Sequence, residues 1–379
     1  KYNIQPSRVN LSPRIIKAVP ALAEPDIFRT IQALPGVLTS NEASTGLVIR
    51  GGNTDQNLLL LDGITVYNPT HFGGIFSNFL VDAVKEADLI KGGFNAEYGG
   101  RLSAVLNVLS REGNRNYFQG KTSISLLSAQ TTIEGPFYNG AWLLSARRTY
   151  FDYLLPKILP AETAEKIPPY YFYDLQGHVF SDLNEKDRIS VSIYRGIDDL
   201  IFDNLGLTAD WGNNTYSLSF RRVFNEKLVG NFLVASSEFF TNFNLGGDDG
   251  LNSENKILDQ TLSANLTFFQ SSDLEWRTGA QIKQLDFKYL NTFLEDTSFY
   301  IGENPIEAGF YTKLKWKGFS RFIIEPGVRY NYYSVYSSTP YIDLRLGAKY
   351  LLTDDRYINI ALGNYHQFIQ TVQDDYNPT

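Results

Sequence analysis

The chain has 379 residues, enough for two ordinary domains, and 43% hydrophobic with 20% charged residues belongs to a folded protein rather than a disordered one. Its 34 basic and 41 acidic residues give a net charge of -7, which argues against a nucleic-acid binder, and the absence of cysteine removes disulfides, zinc-thiolate sites, iron-sulfur clusters and thiol nucleophiles. No run approaches the eighteen or so apolar residues of a spanning helix, whereas 14% aromatic residues suit amphipathic strands and the girdles of a membrane β-barrel.

Residues 1–113 read as a mixed α/β unit. Pro25 suits the first turn of a helix carrying Ile27, Ile31 and Leu34 on one face, and Pro35-Gly36 ends it. Short apolar strands are expected at 46–50, 57–61 and 64–66, with Asp62-Gly63 as a hairpin turn between the last two. A glycine-rich stretch, 68–77, leads into an expected helical turn at 78–84. Strands at 85–90 and 104–109 follow, and their near-continuous apolar runs imply burial on both faces.

From about Tyr117 the pattern changes to period two. About thirteen strands are expected, at 117–127, 129–136, 141–149, 171–182, 187–198, 213–223, 229–243, 257–269, 274–289, 308–317, 321–334, 341–351 and 357–369. In the twelfth, Ile342, Leu344 and Leu346 share the face predicted to meet lipid, and Asp343, Arg345 and Lys349 share the face predicted to line the lumen. Tight turns alternate with long loops at 150–170, 199–212, 244–256 and 290–307, the habit of an outer-membrane barrel with short turns in the periplasm and long loops outside. The predicted fold is therefore an antiparallel transmembrane β-barrel, 114–379, preceded by the mixed α/β unit 1–113.

Several ordered motifs carry a family resemblance. They are Pro25-Asp26 through Leu34-Pro35-Gly36-Val37, Gly46-Leu47-Val48-Ile49-Arg50-Gly51-Gly52, and Leu59-Leu60-Leu61-Asp62-Gly63-Ile64; then Lys91-Gly92-Gly93-Phe94-Asn95-Ala96-Glu97-Tyr98-Gly99-Gly100-Arg101, and last Ala104-Val105-Leu106-Asn107-Val108. Over about residues 24–112 the set resembles the plug domain of TonB-dependent outer-membrane receptors, which implies that residues 1–113 are a plug in the barrel lumen. The resemblance implies active uptake of a scarce large nutrient (a siderophore, cobalamin, glycan or peptide) with TonB as partner and outer-membrane lipid as solvent. It implies no cofactor and no catalysis. The TonB box would lie upstream of Lys1. The run Asn57-Leu58-Leu59-Leu60-Leu61 departs from the proline-containing run of SusC-like importers, which weighs against a SusD-like partner; a surface lipoprotein or other complex partner stays open. Two rival readings stay open: a receptor-like barrel that scaffolds a surface complex without transport, which shares all of these motifs, and a barrel enzyme, which would need a catalytic Ser/His/Asp cluster beyond Thr379.

Arg50 and Arg101, each beside glycines, are expected at buried positions, and the resemblance implies Arg50, Glu97 and Arg101 as plug–barrel contacts. The loop Asn68 to Phe76 is the substrate-binding candidate, with Asn68, His71, Phe72 and Phe76 as its named residues, since loops on a rigid scaffold concentrate recognition groups. Its alternative role is packing the plug against the wall. A lone His71 is a poor metal site, and Gly246 to Gly250 lacks the spaced ligands of a calcium loop. Arg147 and Arg148 meet either lipid phosphate or the lumen. No Gly-x-Ser-x-Gly elbow, Walker loop or HExxH motif is present, and His71, His178 and His366 are far apart in sequence. Thirteen strands enclose too little space for a unit of about 110 residues, whose radius of gyration is near 13 Å, so about 22 strands are expected, with roughly nine following Thr379.

Overall fold

A computed structural model describes residues 4–5, 7–20, 24–39, 46–164, 166–247, 250–294, 296–319, 321–335, 340–353 and 356–369. The first unit is built on a five-stranded mixed sheet in the order Arg8–Leu11, Val84–Ile90, Ala104–Ser110, Asn57–Leu61, Ile64–Thr65. Asn57–Leu61 runs parallel to Ala104–Val108, and both carry the apolar runs that a two-sided core requires. Ile27, Phe28 and Ile31 of the helix Ile27–Gln32 pack onto Leu89, Leu106 and Val108 of this sheet in one core. Asp26 caps that helix by accepting the Arg29 amide at 3.0 Å, so Pro25 precedes the cap rather than occupying the first turn. Asp62 and Gly63, at φ 53° and 84°, make the expected hairpin turn, the mirror-image type that asparagine, aspartate and glycine favour. The helical turn expected at 78–84 is instead a plain turn, closed by the Ala83 amide on the Leu80 carbonyl at 2.9 Å, and Val84 already begins a strand.

The barrel strands follow as Gln119–Ile124 (β1), Ser128–Phe137 (β2), Gly140–Thr149 (β3), Tyr170–Asp182 (β4), Asp187–Phe202 (β5), Leu207–Asn225 (β6), Leu228–Leu245 (β7), Leu251–Phe269 (β8), Leu274–Phe293 (β9), Ile306–Phe319 (β10), Phe322–Tyr333 (β11), Tyr341–Leu351 (β12) and Tyr357–Gly363 (β13). Each pairs antiparallel with the next, and an additional strand, Asp296–Glu303, pairs with the upper part of β9. Three of the expected long loops are corrected: within 290–307, residues 290–293 continue β9 and Asp296–Glu303 is the additional strand. Residues 207–212 and 251–256 continue β6 and β8, so strand replaces most of each expected loop. The reason is length: β6 to β9 run 18 to 20 residues, whereas about 9–11 cross a bilayer, so the surplus rises beyond the membrane opposite the tight turns. There both faces are wet and the hydrophobic alternation that marks a strand in sequence is lost. The 150–170 connection holds the helices Phe151–Ile158 and Ala161–Ala164.

Within the membrane the register agrees with the alternation. Ile342 and Leu344 are 56% and 64% exposed, whereas Asp343 and Arg345 are 0% and 5% exposed. Tyr216, Leu218, Val234, Leu262 and Ile282 continue the outward apolar band. Phe137, Tyr138, Phe224, Phe268, Trp276 and Trp316 cluster outward by the tight turns, as an interface girdle does. The opposite, concave face meets the first unit through polar contacts from β2 to β12, so that unit sits inside the curved sheet. Its last strand ends at Ser110 and β1 starts at Gln119.

Leu262 sits in the middle of the lipid band, so Leu262→Arg is expected to lower folding stability in lipid vesicles by about 2–4 kcal/mol. Thr261→Arg, on the inward face, should follow a different course because the lumen is polar. Denaturant titration of the refolded protein in vesicles measures both.

Candidate functional site: the plug apex and the wall that holds it

After the strand Ile64–Thr65 the chain rises into the loop Asn68 to Phe76. Its tight path takes Asn68, Phe72 and Gly73 to φ 42°, 53° and 62°, conformations that cost a side-chain-bearing residue about 1–2 kcal/mol. What holds Phe72 there is Asp198 of β5, which accepts the Phe72 amide at 2.9 Å, together with Tyr170 of β4, whose ring lies 4.6 Å from the Phe72 ring.

His71 is the centre of the attachment. It is fully buried, with Nδ1 2.6 Å from Asp198 Oδ2 and Nε2 2.9 Å from Asp174 Oδ1, and it stacks on Phe172 at 4.2 Å. Asp174 also accepts Arg147 Nε at 2.7 Å and the Tyr194 hydroxyl at 2.6 Å, and Asp198 accepts the Tyr170 hydroxyl. Arg147 in turn reaches back to the plug, donating to Glu24 at 2.5 Å and to the Ser77 carbonyl at 2.8 Å. Burial lowers the His71 pKa, but Asp174 and then Asp198 outweigh it and push it up to about 9. The ring is an imidazolium with both N–H groups donating, so it holds two carboxylates and has no lone pair for a metal.

Other ties repeat the scheme around the lumen. Asp259 of β8 accepts the Tyr67 hydroxyl at 2.9 Å and Lys283 at 2.6 Å, and Lys283 also donates to Thr65 at 2.8 Å. Arg329 of β11 donates to the Ala96 and Glu97 carbonyls, and Arg345 of β12 to those of Asn95 and Tyr98. The Glu97 carboxylate lies 3.1 Å from Lys313 and 3.7 Å from Arg277. Burial alone would raise its pKa; Lys313 and then Arg277 overcome that and hold it below the usual carboxylate range.

The structure sorts the sequence candidates. His71 and Phe76 are buried against the wall, while Asn68 and Phe72 are exposed at the apex. Glu97 meets the barrel as a plug carboxylate against the wall cations Lys313 and Arg277. Arg50 is corrected: it is exposed and donates to the Ser7 hydroxyl within the plug, where its φ of 51° turns the chain outward. Arg101 donates to the Gly100 carbonyl at 2.8 Å and borders a cavity of about 380 Å³ between plug and wall, with Glu97, Arg277, Lys283 and Glu307. Arg147 faces the lumen, and Arg148 points outward to Asp152 at 2.6 Å. His178 and His366 remain apart from His71, on Ser192 and Asp343. Asp248 and Asp249 of the calcium reading lie outside the described residues. No group of three metal-binding side chains occurs among the described residues. Sequence reasoning missed Asp174, Asp198, Asp259, Lys283 and Arg329; their signal was charge at the inward parity of strands whose other face is apolar.

Residues 17–105 match the family model of the TonB-dependent receptor plug domain. A 135-residue stretch is 29% identical to the TonB-dependent transporter Oar of Myxococcus xanthus, covering 34% of this chain and 12% of that protein. The fold is similar to the siderophore receptor PirA of Pseudomonas aeruginosa, with a TM-score of 0.69, 15% identity, and coverage of 94% of this chain and 61% of that one. It is likewise similar to FpvA of P. aeruginosa in its pyoverdine-bound form, with a TM-score of 0.73, 13% identity, and coverage of 95% and 56%. The chain thus spans about three fifths of these solved receptors and a small part of Oar.

The pH dependence of the apex attachment follows from the raised His71 pKa. Its stabilisation should be complete below about pH 6.5 and fade as pH rises through about 9, by a total of about 3 kcal/mol. Plug unfolding followed by urea titration at pH 6 and pH 10 tests this. The wild type should lose stability over that interval, and His71→Gln should be weaker at pH 6 with a flatter profile.

Proposed function

Taking as premise that the chain is a TonB-dependent outer-membrane receptor plug followed by barrel strands, we propose that it belongs to a machine for active uptake of a large, scarce nutrient, in which TonB-coupled force remodels the plug. The observation that carries this is the nature of the plug–wall interface. The plug is held by discrete polar ties, at His71, Tyr67, Thr65, Glu97 and the carbonyls of Asn95 and Tyr98, and its apolar contacts with the wall are small separate patches, Phe76 against Tyr170 and Phe172 and Leu80 against Leu143. Such ties define one seated position, yet each group can exchange its partner for water once the plug shifts. A permanent structural filling would gain more from apolar packing.

The seated apex leaves Asn68 and Phe72 exposed beneath the tall inner wall of β6 to β9. A ligand gathered there would touch Phe72, whose amide shares Asp198 with His71, so that binding and the apex attachment meet on one carboxylate. Nothing in this cycle requires a bond to be made or broken in the ligand, and the named relatives are transporters and receptors. Siderophores, cobalamin, glycans and peptides are the substrate classes to test.

Uptake is tested in cells that carry or lack the gene, each with and without functional TonB, by accumulation of labelled candidates from these classes. Accumulation should require both the gene and TonB. A barrel that only scaffolds a surface complex would bind ligand at the cell surface without accumulating it, and that outcome would overturn the proposal.

A further inference from the structure

The inner wall above the plug apex has an unusual charge distribution. On β6 to β9, four successive rungs rise above the one that contains Asp259; the lowest pairs Asn213, Phe239, Ile257 and Phe287, and the highest pairs Leu207, Leu245, Leu251 and Phe293. None of their inward residues is charged. The outward residues from just below the lowest of these rungs upward include Asp210, Glu238, Glu254, Lys256, Asp286 and Lys288. At the upper three rungs solvent reaches both faces, so solubility alone does not explain a neutral inner face there.

One rung shows the chemistry that replaces charge. Trp211, Thr241, Asn255 and Tyr289 lie side by side across β6 to β9, all half-buried. Three strand spacings separate the two aromatic rings, about 14 Å. Below and above this rung, Asn213 Oδ1 and Asn291 Oδ1 are shielded from solvent and accept no hydrogen bond. Asn213 uses its amide nitrogen on the Asn68 carbonyl at 3.4 Å, which joins this wall to the plug apex.

We propose that this wall binds a neutral oligosaccharide, an inference that rests on the uptake reading above and names its substrate class. A pyranose ring has flat C–H faces that suit aromatic rings and a rim of hydroxyls that donate and accept, as primary amides do. Thr241 and Asn255, half-buried between the two rings, present a hydroxyl and a primary amide to that rim, and the span from Trp211 to Tyr289 accommodates an extended run of sugar rings. An anionic chelate would lose its hydration against this wall and find no cation there in return.

The test is titration calorimetry of the purified receptor in detergent against neutral oligosaccharides selected on a glycan array, with acidic glycans and a trianionic ferric tris-catecholate as the other arms. Neutral glycans should bind, with affinity changing less than about twofold between low and high salt, because no ion pair is being screened. Trp211→Ala and Tyr289→Ala should each weaken binding by about tenfold or more, whereas Asn242→Ala on the outer face should not. Tyr289→Ala decides the matter if loss of Trp211 disturbs its stacking on Tyr170. Binding of the tris-catecholate or acidic glycans in place of neutral ones, failure of every neutral glycan, or indifference to both substitutions would overturn the proposal. A charged ligand that is still accumulated in a TonB-dependent way would overturn only the ligand class and leave the uptake reading standing.

Discussion

A charge facing lipid costs several kcal/mol at mid-membrane, and that one constraint organises this chain. Strands that cross the bilayer can carry charge only on their inward face, as β12 does with Asp343, Arg345 and Lys349. The lumen is thereby given a coat of ionisable groups that need partners of their own. Some pair along the wall, as Asp343 does with Arg345 at 3.0 Å. Others, including Asp174, Asp198, Lys313 and Arg329, find partners on the plug, so the rule that keeps charge out of lipid also seats the domain within.

The energetics of those ties differ from those of a hydrophobic core. Desolvation offsets much of the Coulomb gain of a buried pair, so the complete pair adds little net stability, yet loss of one partner leaves an expensive uncompensated charge. The apex cluster illustrates this balance. Two carboxylates flank one imidazolium, and Arg147 binds Asp174 and Glu24, so no ion in the group lacks an opposite charge. Small displacements of the plug are therefore resisted strongly. A displacement large enough to admit water to each group meets much less net opposition. Specific seating and separability come from the same groups.

Strand parity made much of this legible in advance. The thirteen main barrel strands, the Asp62-Gly63 turn and the outward set Ile342, Leu344 and Leu346 follow from alternation and turn chemistry alone. The site was less legible, because its partners are remote. His71 meets residues 103 and 127 positions away, and no local pattern distinguishes a histidine that grips two wall aspartates from one that faces a ligand. Arg50 misled for a related reason: glycines on its C-terminal side describe a backbone turn without saying which way the side chain leaves it. The upper strands were read as loops because alternation reports contact with lipid or a dry core, and residues such as Thr208, Asp210, Asn242 and Asn244 touch neither.

That failure contains a usable signal. On β8 the charge lies inward at Asp259 and outward at Lys256 and Glu254; on β9 it lies inward at Lys283 and outward at Asp286 and Lys288. The exchange of faces occurs at the same height on both strands, since Leu258 pairs with Asp286 and Asp259 with Leu285. Below that height the outer face meets lipid and the inner face meets a polar plug. Above it the outer face is wet and free to be charged, and the inner face answers to whatever enters the vestibule. A switch in charge parity along an unbroken strand therefore marks where the strand leaves both membrane and plug, and the residues beyond it on the uncharged side are those whose identity the ligand, rather than the fold, constrains.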